Sequence, residues 1–229
     1  MLEELKRRIS AANCDLVRTG LVTLTWGNVS GIDRQHGLVV IKPSGVPYEE
    51  LQPECMVVVD LEGRVVEGKL KPSSDVPTHV ILYRAFPSIG GVVHTHSRHA
   101  TMFAQARREI PCLGTTHADH FHGPVPVTRP LTPQEVAEDY EGCTGRVIVE
   151  HFRGLDPEAM PAVLVAGHAP FTWGTSPEKA LENSVALEAV AEMVLGTWSI
   201  DRAAPDLEPW VLDKHYQRKH GPAAYYGQR

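Results

Sequence analysis

Two histidines stand two residues apart at the end of a β-like run, Gly90-Gly-Val-Val-His94-Thr-His96-Ser97. Alternate residues of a strand share one face, so His94 and His96 are predicted to point the same way, with their Cα atoms roughly 7 Å apart. Two imidazole nitrogens at that spacing can reach one metal ion at about 2.0–2.1 Å. The pattern indicates a metal site, although a pair of surface or core histidines has the same spacing.

Two further segments supply candidate ligands for the same ion. His168 follows the apolar run 163–166 in a Gly-His turn, and Asp75 stands just before a predicted helix. Three imidazoles and one carboxylate suit Zn²⁺, and Mn²⁺ or Co²⁺ are also compatible with this mixed set. A catalytic ion must keep one position that substrate can occupy. Taken alone, Asp75 is also consistent with a simple helix cap.

Two similar tetrads, Lys42-Pro-Ser-Gly45 and Lys71-Pro-Ser-Ser74, each combine a cation with hydroxyl groups and the backbone N–H groups of a turn. A phosphate group binds to such clusters of donors around a fixed positive charge. The segment Trp26-Gly-Asn-Val-Ser30 adds a glycine turn and an amide donor. Lys-Pro-Ser is also ordinary turn chemistry, but two tetrads around a proposed metal ligand favour a phosphate pocket.

Hydrophobic periodicity predicts the elements that position these motifs. Apolar residues at three- and four-residue steps from Leu2 to Leu16 predict a helix that ends near Gly20. Further helices are predicted over 76–86, over 97–107 with Ser97 as the cap, from a capping box at Thr132 with interruptions at Gly142 and Gly145, over 176–198 and over 207–219. Strands are predicted over 38–41, 56–59, 65–67, 91–96 and 162–166.

These elements are interpreted as one α/β domain over residues 1–229, since no linker, tandem repeat or low-complexity stretch divides the chain. Strands and helices mix without the regular β-α-β rhythm of a parallel sheet, which favours an antiparallel or mixed sheet covered by helices. No G-x-G-x-x-G or Walker motif follows a predicted strand, so we expect no nucleotide cofactor.

Composition excludes several classes of partner. The 229-residue chain has 28 acidic and 22 basic residues, and its net charge of −6 gives no general attraction for nucleic acid or an anionic membrane. Residues 1–10 are charged rather than an apolar signal core, and no run reaches the ~18–20 apolar residues of a membrane span. The four cysteines form no C-x-x-C pair, which is typical of free thiols in a reducing cytosol. We expect a cytoplasmic protein with a small-molecule substrate.

Taken together, the motifs resemble the L-ribulose-5-phosphate 4-epimerases of the class II aldolase/adducin family. The resemblance extends from residue 1 to the terminal segment Tyr225-Tyr-Gly-Gln228, and it rests on the combination of motifs rather than on His-x-His alone. The segments that carry it are Thr25-Trp-Gly-Asn-Val-Ser30, Ile41-Lys-Pro-Ser-Gly45, Lys71-Pro-Ser-Ser-Asp75, Val93-His-Thr-His-Ser-Arg-His99, Gly114-Thr-Thr-His-Ala-Asp119 and Asp213-Lys-His-Tyr-Gln-Arg-Lys-His220. One departure is that Asp119-His120-Phe-His122-Gly123 stands where the family usually has Asp-Tyr-Phe-Tyr-Gly.

The resemblance implies a three-layer α/β/α fold around a mostly antiparallel sheet, and a four-fold symmetric homotetramer. It implies a zinc-type ion held by Asp75, His94, His96 and His168. It implies phosphate contacts from Gly27, Asn28, Lys42, Ser44, Gly45, Ser73 and Ser74. It further implies acid/base roles for Asp119 and Tyr226, with Thr115 near the substrate, and the donation of Tyr226 and His215 by a neighbouring subunit. Without the resemblance, Tyr226 is consistent with a frayed tail residue.

The implied reaction inverts C4 of a pentulose phosphate, in an arabinose or other pentose pathway. The C4 proton is not acidic, because C4 is not adjacent to the C2 carbonyl. The C3–C4 bond must therefore break by retro-aldol cleavage and re-form on the other face of the aldehyde. The alternatives are a class II aldolase of the L-fuculose 1-phosphate type, a non-catalytic adducin-like binding module and a metal-dependent hydrolase. The aldolases of the family carry a glutamate base at the position of Asp75, so the aspartate favours the epimerase.

Overall fold

The strand-forming runs assemble into one sheet in the computed structural model, which describes residues 2–225. The strands are β1 (Asn28–Asp33), β2 (Leu38–Ile41), β3 (Val57–Asp60), β4 (Val65–Glu67), β5 (Gly91–His94), β6 (Ala162–Leu164) and β7 (Pro170–Gly174). The helices are α1 (Glu3–Arg18), α2 (Val76–Ala85), α3 (Arg98–Ala106), α4 (Thr115–Ala118), α5 (Pro133–His151), α6 (Pro177–Ile200) and α7 (Pro209–His220). Two short 3₁₀ turns, Tyr48–Glu50 and Pro53–Cys55, connect β2 to β3.

The sheet has the strand order β4-β3-β2-β1-β5-β7-β6, and every pair of neighbouring strands is antiparallel. This arrangement confirms the predicted mostly antiparallel sheet. The pairing of β1 with β5 sets Asn28 opposite His94. The first residue of one central strand therefore meets the last residue of the other, and two predicted site residues become neighbours.

Side chains alternate between two apolar cores, one on each face of the sheet. Val39 and Ile41 of β2 point into the larger core, where α2, α3, α5 and α6 pack. Val40 between them points into the smaller core, against α1 and the residues around the two 3₁₀ turns. Helices therefore cover both faces, as the predicted three-layer arrangement requires.

The two strands that flank β5, namely β1 and β7, were not predicted. Each contains a residue that usually weakens a strand, Gly31 in β1 and Pro170 in β7. A Cβ atom on Gly31 would lie 2.8 Å from Cδ1 of Ile9, so glycine at this position lets α1 pack directly on the sheet. The polar motif around Asn28, interpreted above as a turn, includes the start of a central strand.

Helix α5 begins as predicted but is interrupted at a different residue. Thr132 forms the predicted capping box, in which its hydroxyl accepts a hydrogen bond from the Glu135 N–H. The interruption predicted at Gly142 and Gly145 is wrong, because helical structure passes through both and the kink lies at Asp139 (φ −165°, ψ 78°). The Asp139 carboxylate accepts a hydrogen bond from the Gly142 N–H at 3.1 Å and so caps the helical segment after the kink.

The segment after β5 also differs from the prediction. The strand ends at His94, so His96 lies in the following loop and not on the strand. Ser97 precedes α3 as predicted, but within residues 2–225 its side chain makes no capping hydrogen bond. Instead, the Glu188 carboxylate of α6 accepts hydrogen bonds from two backbone N–H groups in the first turn of α3, at 2.8 and 3.0 Å. Helix α6 thereby fixes the start of α3 and the loop before it.

None of the helices within residues 2–225 is long and apolar enough to cross a membrane. The four cysteines, which all lie in the described part of the chain, are free thiols as predicted. Burial raises the pKa of the Cys112 thiol to about 11, so this side chain stays a neutral packing group at neutral pH.

Candidate functional site

A cavity of about 590 Å³ opens where β1 and β7 begin and β2 and β5 end. Among the residues that the structure describes, Thr115, Asp119 and His215 lie outside this cavity, and Tyr226 is not among the described residues. The structure therefore brings the predicted metal and phosphate residues together and places Asp119 and His215 elsewhere. The predicted residues that line the cavity are Gly27, Asn28, Lys42, Ser44, Gly45, Ser73, Ser74, Asp75, His94, His96 and His168.

Three histidines from the ends of strands and their loops meet on the wall of the cavity. One ring nitrogen from each of His94, His96 and His168 lies within 4.8 Å of the other two. The distances between the three ring centroids are 5.0, 4.9 and 5.1 Å. Two nitrogens bound to one ion at about 2.0–2.1 Å lie at most about 4.2 Å apart, so small rotations of the three rings let them share one divalent ion. The residues present therefore fit the predicted metal.

Neighbouring atoms fix the orientation of His94. Its Nδ1 lies 3.0 Å from the carbonyl oxygen of Pro170. A carbonyl oxygen only accepts, so the ring proton is on Nδ1 and the Nε2 of the neutral ring keeps a lone pair. Phe171 stacks on the imidazole, with ring centroids 4.2 Å apart and ring planes at 15°. Metal-binding histidines commonly donate their other N–H to a carbonyl or carboxylate in this way.

Burial keeps two of these imidazoles neutral. It lowers the pKa of His168 to about 4 and also lowers the pKa of His96, and the neighbouring His94 adds to both shifts. The buried Nδ1 of His168 has no hydrogen-bond partner within the described part of the chain. Because a metal binds the neutral imidazole, both rings can bind an ion at neutral pH without first losing a proton.

Asp75 lines the cavity beside the histidines, but within residues 2–225 it lies outside the close group of three nitrogens. Its Oδ2 accepts a hydrogen bond from Asn28 Nδ2 at 2.6 Å. Among the described residues it makes no side-chain capping bond, so the simple helix cap considered above is wrong. Burial raises the pKa of this carboxyl group, but His94, His79 and the Asn28 bond lower it by more. Asp75 is therefore a partly buried carboxylate that can offer oxygen to a cation.

The two Lys-Pro-Ser tetrads lie side by side just after the end of β2. Pro43 and Pro72 form an isolated antiparallel bridge. The N–H groups of the following serines, Ser44 and Ser73, donate to the carbonyl oxygen of the lysine in the opposite tetrad, at 2.9 and 3.0 Å. These two amides are engaged within the protein, so they do not serve as the turn donors predicted for a phosphate. The bridge instead sets both serines together in the wall of the cavity.

Lys42 places a positive charge inside the cavity wall, where the residue is only 2% exposed. Its Nζ donates to the carbonyl oxygens of Val46 and Pro43 at 2.9 and 3.3 Å, and it lies 4.9 Å from the centroid of the Tyr48 ring. Burial lowers the pKa of this lysine. Its charge acts on an anion more strongly here than at the surface, because the surrounding dielectric constant is lower.

Gly27 brings the start of β1 against the strand that carries His94. Its φ is +115°, and a Cβ atom at this position would lie 2.9 Å from the carbonyl oxygen of His94. Glycine is therefore required both for the backbone conformation and for the space. The adjacent Asn28 amide then reaches Asp75 and Ser73, at 2.6 and 3.1 Å.

Tyr140 and Glu141 also line the cavity, and neither was predicted as a site residue. Both follow the kink in α5. The Tyr140 ring centroid lies 5.9 Å from that of His168, and the Thr78 hydroxyl donates to the Glu141 carbonyl oxygen at 2.6 Å. The available sequence signal was Asp139, a helix-capping residue type in the middle of a predicted helix.

A second group of polar residues, the Asp119 cluster, consists of Asp119, His215 and Arg218. Arg218 Nε and Nη2 donate to the two oxygens of the Asp119 carboxylate at 3.0 and 2.7 Å, and His215 Nδ1 donates at 3.1 Å. Burial, the largest influence, raises the pKa of Asp119, but the bonds from Arg218 and His215 outweigh it and hold the pKa below its usual value. Thr115 lies one turn earlier, where its carbonyl accepts from the Asp119 N–H at 2.9 Å. The cluster joins α4 to α7.

The two histidines that depart from the family pattern lie beside this cluster. Burial lowers the pKa of His120 to about 4, so its imidazole is uncharged at neutral pH. His122 Nε2 bonds to Asp213 Oδ1 at 2.8 Å, and its ring centroid lies 4.8 Å from that of Tyr216. His122 therefore helps to attach the segment after α4 to helix α7.

The chain resembles known proteins in both sequence and structure. Residues 7–195 match the family model described as the class II aldolase and adducin N-terminal domain. The chain is 52% identical over 228 residues to an L-ribulose-5-phosphate 4-epimerase UlaF from Salmonella paratyphi B (strain ATCC BAA-1250 / SPB7), with 100% of both chains covered. The UlaF protein of Salmonella choleraesuis (strain SC-B67) has the same identity and coverage.

Solved structures give the same assignment. An L-fuculose 1-phosphate aldolase superposes with a TM-score of 0.80 at 25% identity, over 94% of this chain and 95% of that one. The L-fuculose-1-phosphate aldolase of Thermus thermophilus has a TM-score of 0.67 at 27% identity, over 89% and 98% of the two chains. With its seven-stranded antiparallel sheet, its histidine group and these matches, the chain belongs to the class II aldolase/adducin family.

Proposed function

We propose that this protein is a divalent-metal-dependent L-ribulose-5-phosphate 4-epimerase, which interconverts L-ribulose 5-phosphate and D-xylulose 5-phosphate. The observation that carries the proposal is the full-length identity of 52% to Salmonella proteins of that name. The cavity supports it, because three clustered histidines and the paired tetrads line the same space. A phosphorylated sugar that reacts with the help of a Lewis acid requires both features.

The phosphate group of the substrate is assigned to the paired tetrads. Ser44, Ser73 and Ser74 supply hydroxyl groups, and Lys42 supplies the buried positive charge. Gly45, whose φ is +69°, turns the chain beside them and leaves room for a ligand, because a Cβ atom there would meet no atom within 4 Å. Hydrogen bonds to a charged phosphate are stronger than neutral ones. The sugar then extends along the cavity toward the three histidines.

The residues assigned to hold the ion are His94, His96 and His168, with Asp75 as an oxygen donor. We assign Zn²⁺, with Mn²⁺ or Co²⁺ as alternatives. When bound, the ion supplies Lewis acidity that stabilises negative charge on the C2 and C3 oxygens of the sugar. His94 keeps its Nε2 lone pair through the Nδ1 hydrogen bond, and Asn28 holds the Asp75 carboxylate in the cavity.

The protein must bind the aldehyde fragment of the cleaved sugar while its carbonyl group turns. Cleavage of C3–C4 gives the enediolate of dihydroxyacetone and glycolaldehyde phosphate. Inversion at C4 requires the aldehyde to present its other face before the bond re-forms. The tetrads bind the phosphate, so the aldehyde group can rotate about the C4–C5 bond without leaving the cavity. Re-addition therefore remains effectively intramolecular.

Proton transfer at the C4 oxygen is assigned to Asp119 and Tyr226, and His215 is bonded to Asp119. Asp119 lies outside the cavity of its own chain, and His215 is bonded to it. If one of these two residues contributes to a cavity, the other therefore contributes to the same cavity. We therefore assign the Asp119 cluster to the cavity of a neighbouring copy in a homotetramer, which extends the predicted donation of His215 and Tyr226 to Asp119. The lowered pKa keeps the Asp119 carboxyl group ionised, so it is free of its own proton and can accept one.

We place the enzyme in the cytoplasm and in pentose catabolism, such as the use of arabinose. The free thiols support a reducing compartment. The substrate is a small sugar phosphate, which the 590 Å³ cavity accommodates. The net charge of −6 supports the exclusion of nucleic acid and membrane surfaces as partners.

A class II aldolase that acts on a ketose 1-phosphate is the second candidate. The superposition on an L-fuculose 1-phosphate aldolase favours it, whereas Asp75 in the place of the family's glutamate base favours the epimerase. The two reactions share the cleavage step and differ in the fate of the fragments. Free dihydroxyacetone and glycolaldehyde phosphate that accumulate from L-ribulose 5-phosphate, or dihydroxyacetone phosphate and a free aldehyde that accumulate from a ketose 1-phosphate, would identify an aldolase.

The decisive experiment is a coupled assay with purified protein and L-ribulose 5-phosphate, before and after chelation. We expect D-xylulose 5-phosphate to form, formation to stop with the chelator, and activity to return when a divalent ion is added. Metal-replete protein that forms no D-xylulose 5-phosphate would refute the epimerase assignment. A panel of ketose 1-phosphates would then test the aldolase.

A further inference from the structure

Helix α5 has two parts with different surroundings, and they meet at the kink at Asp139. No residue of 133–138 is buried, whereas most residues of 142–148 are buried against the larger core and α2. The first two residues after the kink, Tyr140 and Glu141, line the cavity. The kink therefore determines which side chains of α5 reach the proposed substrate.

Asp139 has the backbone conformation and the hydrogen bond of an N-cap residue for the second part of α5. Its backbone is extended (φ −165°, ψ 78°), and its Oδ1 accepts a hydrogen bond from the Gly142 N–H, three residues later, at 3.1 Å. Its Oδ2 also accepts from Arg146 Nη2 at 3.0 Å. Both side chains of this ion pair are about half exposed, where such pairs contribute little to stability. The cap is therefore the main interaction of this carboxylate.

Glycine at position 142 makes room for the cap. A Cβ atom on Gly142 would overlap the Asp139 carboxylate. Glycine is less favourable than alanine inside a helix, so its presence in the first turn after the kink has a local reason. That reason is the carboxylate of Asp139, which folds over this turn.

Two further hydrogen bonds hold the turn that follows the kink. The Thr144 hydroxyl donates to the Tyr140 carbonyl oxygen at 2.9 Å, and the buried Thr78 hydroxyl of α2 donates to the Glu141 carbonyl oxygen at 2.6 Å. The Tyr140 ring then lies beside His168, with ring centroids 5.9 Å apart. Among the described residues, none bonds to the Tyr140 hydroxyl group. The ring and its hydroxyl are therefore available to a ligand in the cavity.

We infer that Asp139 is a positioning residue, whose cap on the second part of α5 directs Tyr140 into the cavity, where Tyr140 contacts the sugar of the substrate. The contact with the sugar rests on the proposed function, in which the sugar extends from the tetrads toward the three histidines. The placement of the Tyr140 side chain does not depend on the identity of the substrate, so it provides a separate test.

Substitutions at the two caps of α5 separate positioning from stability. Thr132→Ala removes the cap at the start of α5, and Asp139→Ala removes the cap at the kink. Each should lower the melting temperature by about 2–4 °C. We expect Asp139→Ala to lower kcat/KM for L-ribulose 5-phosphate by about 10–100-fold, because small displacements of a contacting group are costly. Thr132 does not line the cavity, so kcat/KM should stay within about 3-fold in Thr132→Ala.

Three more variants test the cap itself. Asp139→Asn keeps an oxygen that can accept from the Gly142 N–H, so kcat/KM should stay within about 3-fold. Gly142→Ala displaces the carboxylate and should reproduce the loss seen in Asp139→Ala, although alanine favours a helix. This variant replaces Asp139→Ala if the latter does not fold. In a Tyr140→Ala background, Asp139→Ala should add no further loss of kcat/KM.

A spectroscopic readout reports the surroundings of Tyr140 without any substrate. In protein labelled with 3-fluorotyrosine, the substitution Tyr140→Phe identifies the ¹⁹F NMR signal of Tyr140 among those of the six tyrosines. This signal should shift in Asp139→Ala and Gly142→Ala. It should keep the wild-type position in Asp139→Asn and Thr132→Ala. Circular dichroism of each variant shows whether the fold is retained.

A Tyr140 signal that stays unchanged in both Asp139→Ala and Gly142→Ala would overturn the inference and leave the epimerase proposal intact. Equal losses of kcat/KM in Asp139→Ala and Thr132→Ala would do the same. A wild-type protein that does not convert L-ribulose 5-phosphate, while the Tyr140 signal shifts as expected, would overturn the proposed substrate and support the placement of Tyr140 by Asp139.

Discussion

Burial keeps His96 and His168 of the cavity neutral, whereas ion pairing keeps the carboxylate of the Asp119 cluster charged. The pKa of His168 falls to about 4 mainly because the ring is removed from water. The pKa of Asp119 falls although burial opposes the shift, because Arg218 and His215 donate to its oxygens. One region thus holds ligands for a cation, and the other holds a base.

The two regions also differ in what supports them. The cavity is built from the ends of central strands, and its residues are held by sheet pairing and by the Pro43–Pro72 bridge. The Asp119 cluster is built on the four-residue helix α4 and on α7, the last helix that the structure describes. In the proposed function, residues at the strand ends of one chain bind the substrate and the metal ion, and residues on the helices of a neighbouring chain transfer the proton.

Removal of a cavity histidine is expected to have the largest effect. In His96→Ala one ligand is lost from the group of three nitrogens, so bound metal should be lost and epimerase activity should fall to that of chelated wild-type protein. Elemental analysis and the coupled assay measure both quantities. The control is His122→Ala, which removes an exposed histidine outside the cavity and should leave metal content unchanged. Full metal occupancy in His96→Ala would remove this residue from the ligand set.

Asp119→Asn should separate the two regions. We expect the fold and the metal content to be retained and turnover to fall by about 10²–10⁴-fold, the usual contribution of a general acid or base. Near-wild-type turnover would refute the assignment of Asp119. Mixed oligomers of Asp119→Asn and His96→Ala should regain partial activity, because some cavities then combine an intact metal group with an intact Asp119 cluster from another copy. Inactive mixtures, shown by mass spectrometry to contain both chains, would contradict donation between subunits.

Acid should destabilise the metal-free protein through histidines in both regions. In the Asp119 region, burial lowers the pKa of His117 to about 4, while its unfolded value is near 6.5. Between these values the unfolded chain binds the extra proton, so stability is complete above pH 6.5 and declines as the pH falls toward 4. The contribution is about 3 kcal/mol. Urea unfolding at pH 7 and 4.5 should show a smaller pH dependence in His117→Gln, and an unchanged dependence would contradict the assignment.

Substitution of the two tetrad lysines should change KM to different extents, although the two tetrads have similar sequences. Lys42→Met removes a buried charge from the cavity wall, and we expect KM to rise by about 10–100-fold, which corresponds to one charged hydrogen bond. Lys71→Met removes an exposed charge that does not line the cavity, and KM should stay within about 3-fold. Steady-state kinetics with L-ribulose 5-phosphate measure both. Equal effects would show that the phosphate is not held on the Lys42 side.

Much of the cavity that binds the proposed metal ion and phosphate could be predicted from the sequence. Local signals sufficed for α1, for the capping box at Thr132, and for the motifs that carry His94, Lys42 and Asp75. These features depend on short-range spacing and capping, which a single sequence records.

Features that depend on long-range contacts were not predicted. Strand β1 was not predicted, because Gly31 is an unfavourable residue for a strand. The requirement for glycine at this position comes from the packing of α1, which is distant in sequence. The pairing of the two tetrads brings together segments separated by β3 and β4. The bond between Asp119 and Arg218 joins residues 99 positions apart. Periodicity within a window of a dozen residues contains none of this information.

The Pro43–Pro72 bridge couples ligand binding to the closure of a hairpin. The serines that it joins come together only when β3 and β4 have folded back between them. A phosphorylated ligand that binds both tetrads thus favours the closed hairpin, and the closed hairpin favours the ligand by the same free energy. At a ligand concentration of 100 Kd, this linkage is worth about 2.7 kcal/mol. Slower amide hydrogen exchange in β3 and β4 would then report occupancy of a site that neither strand touches.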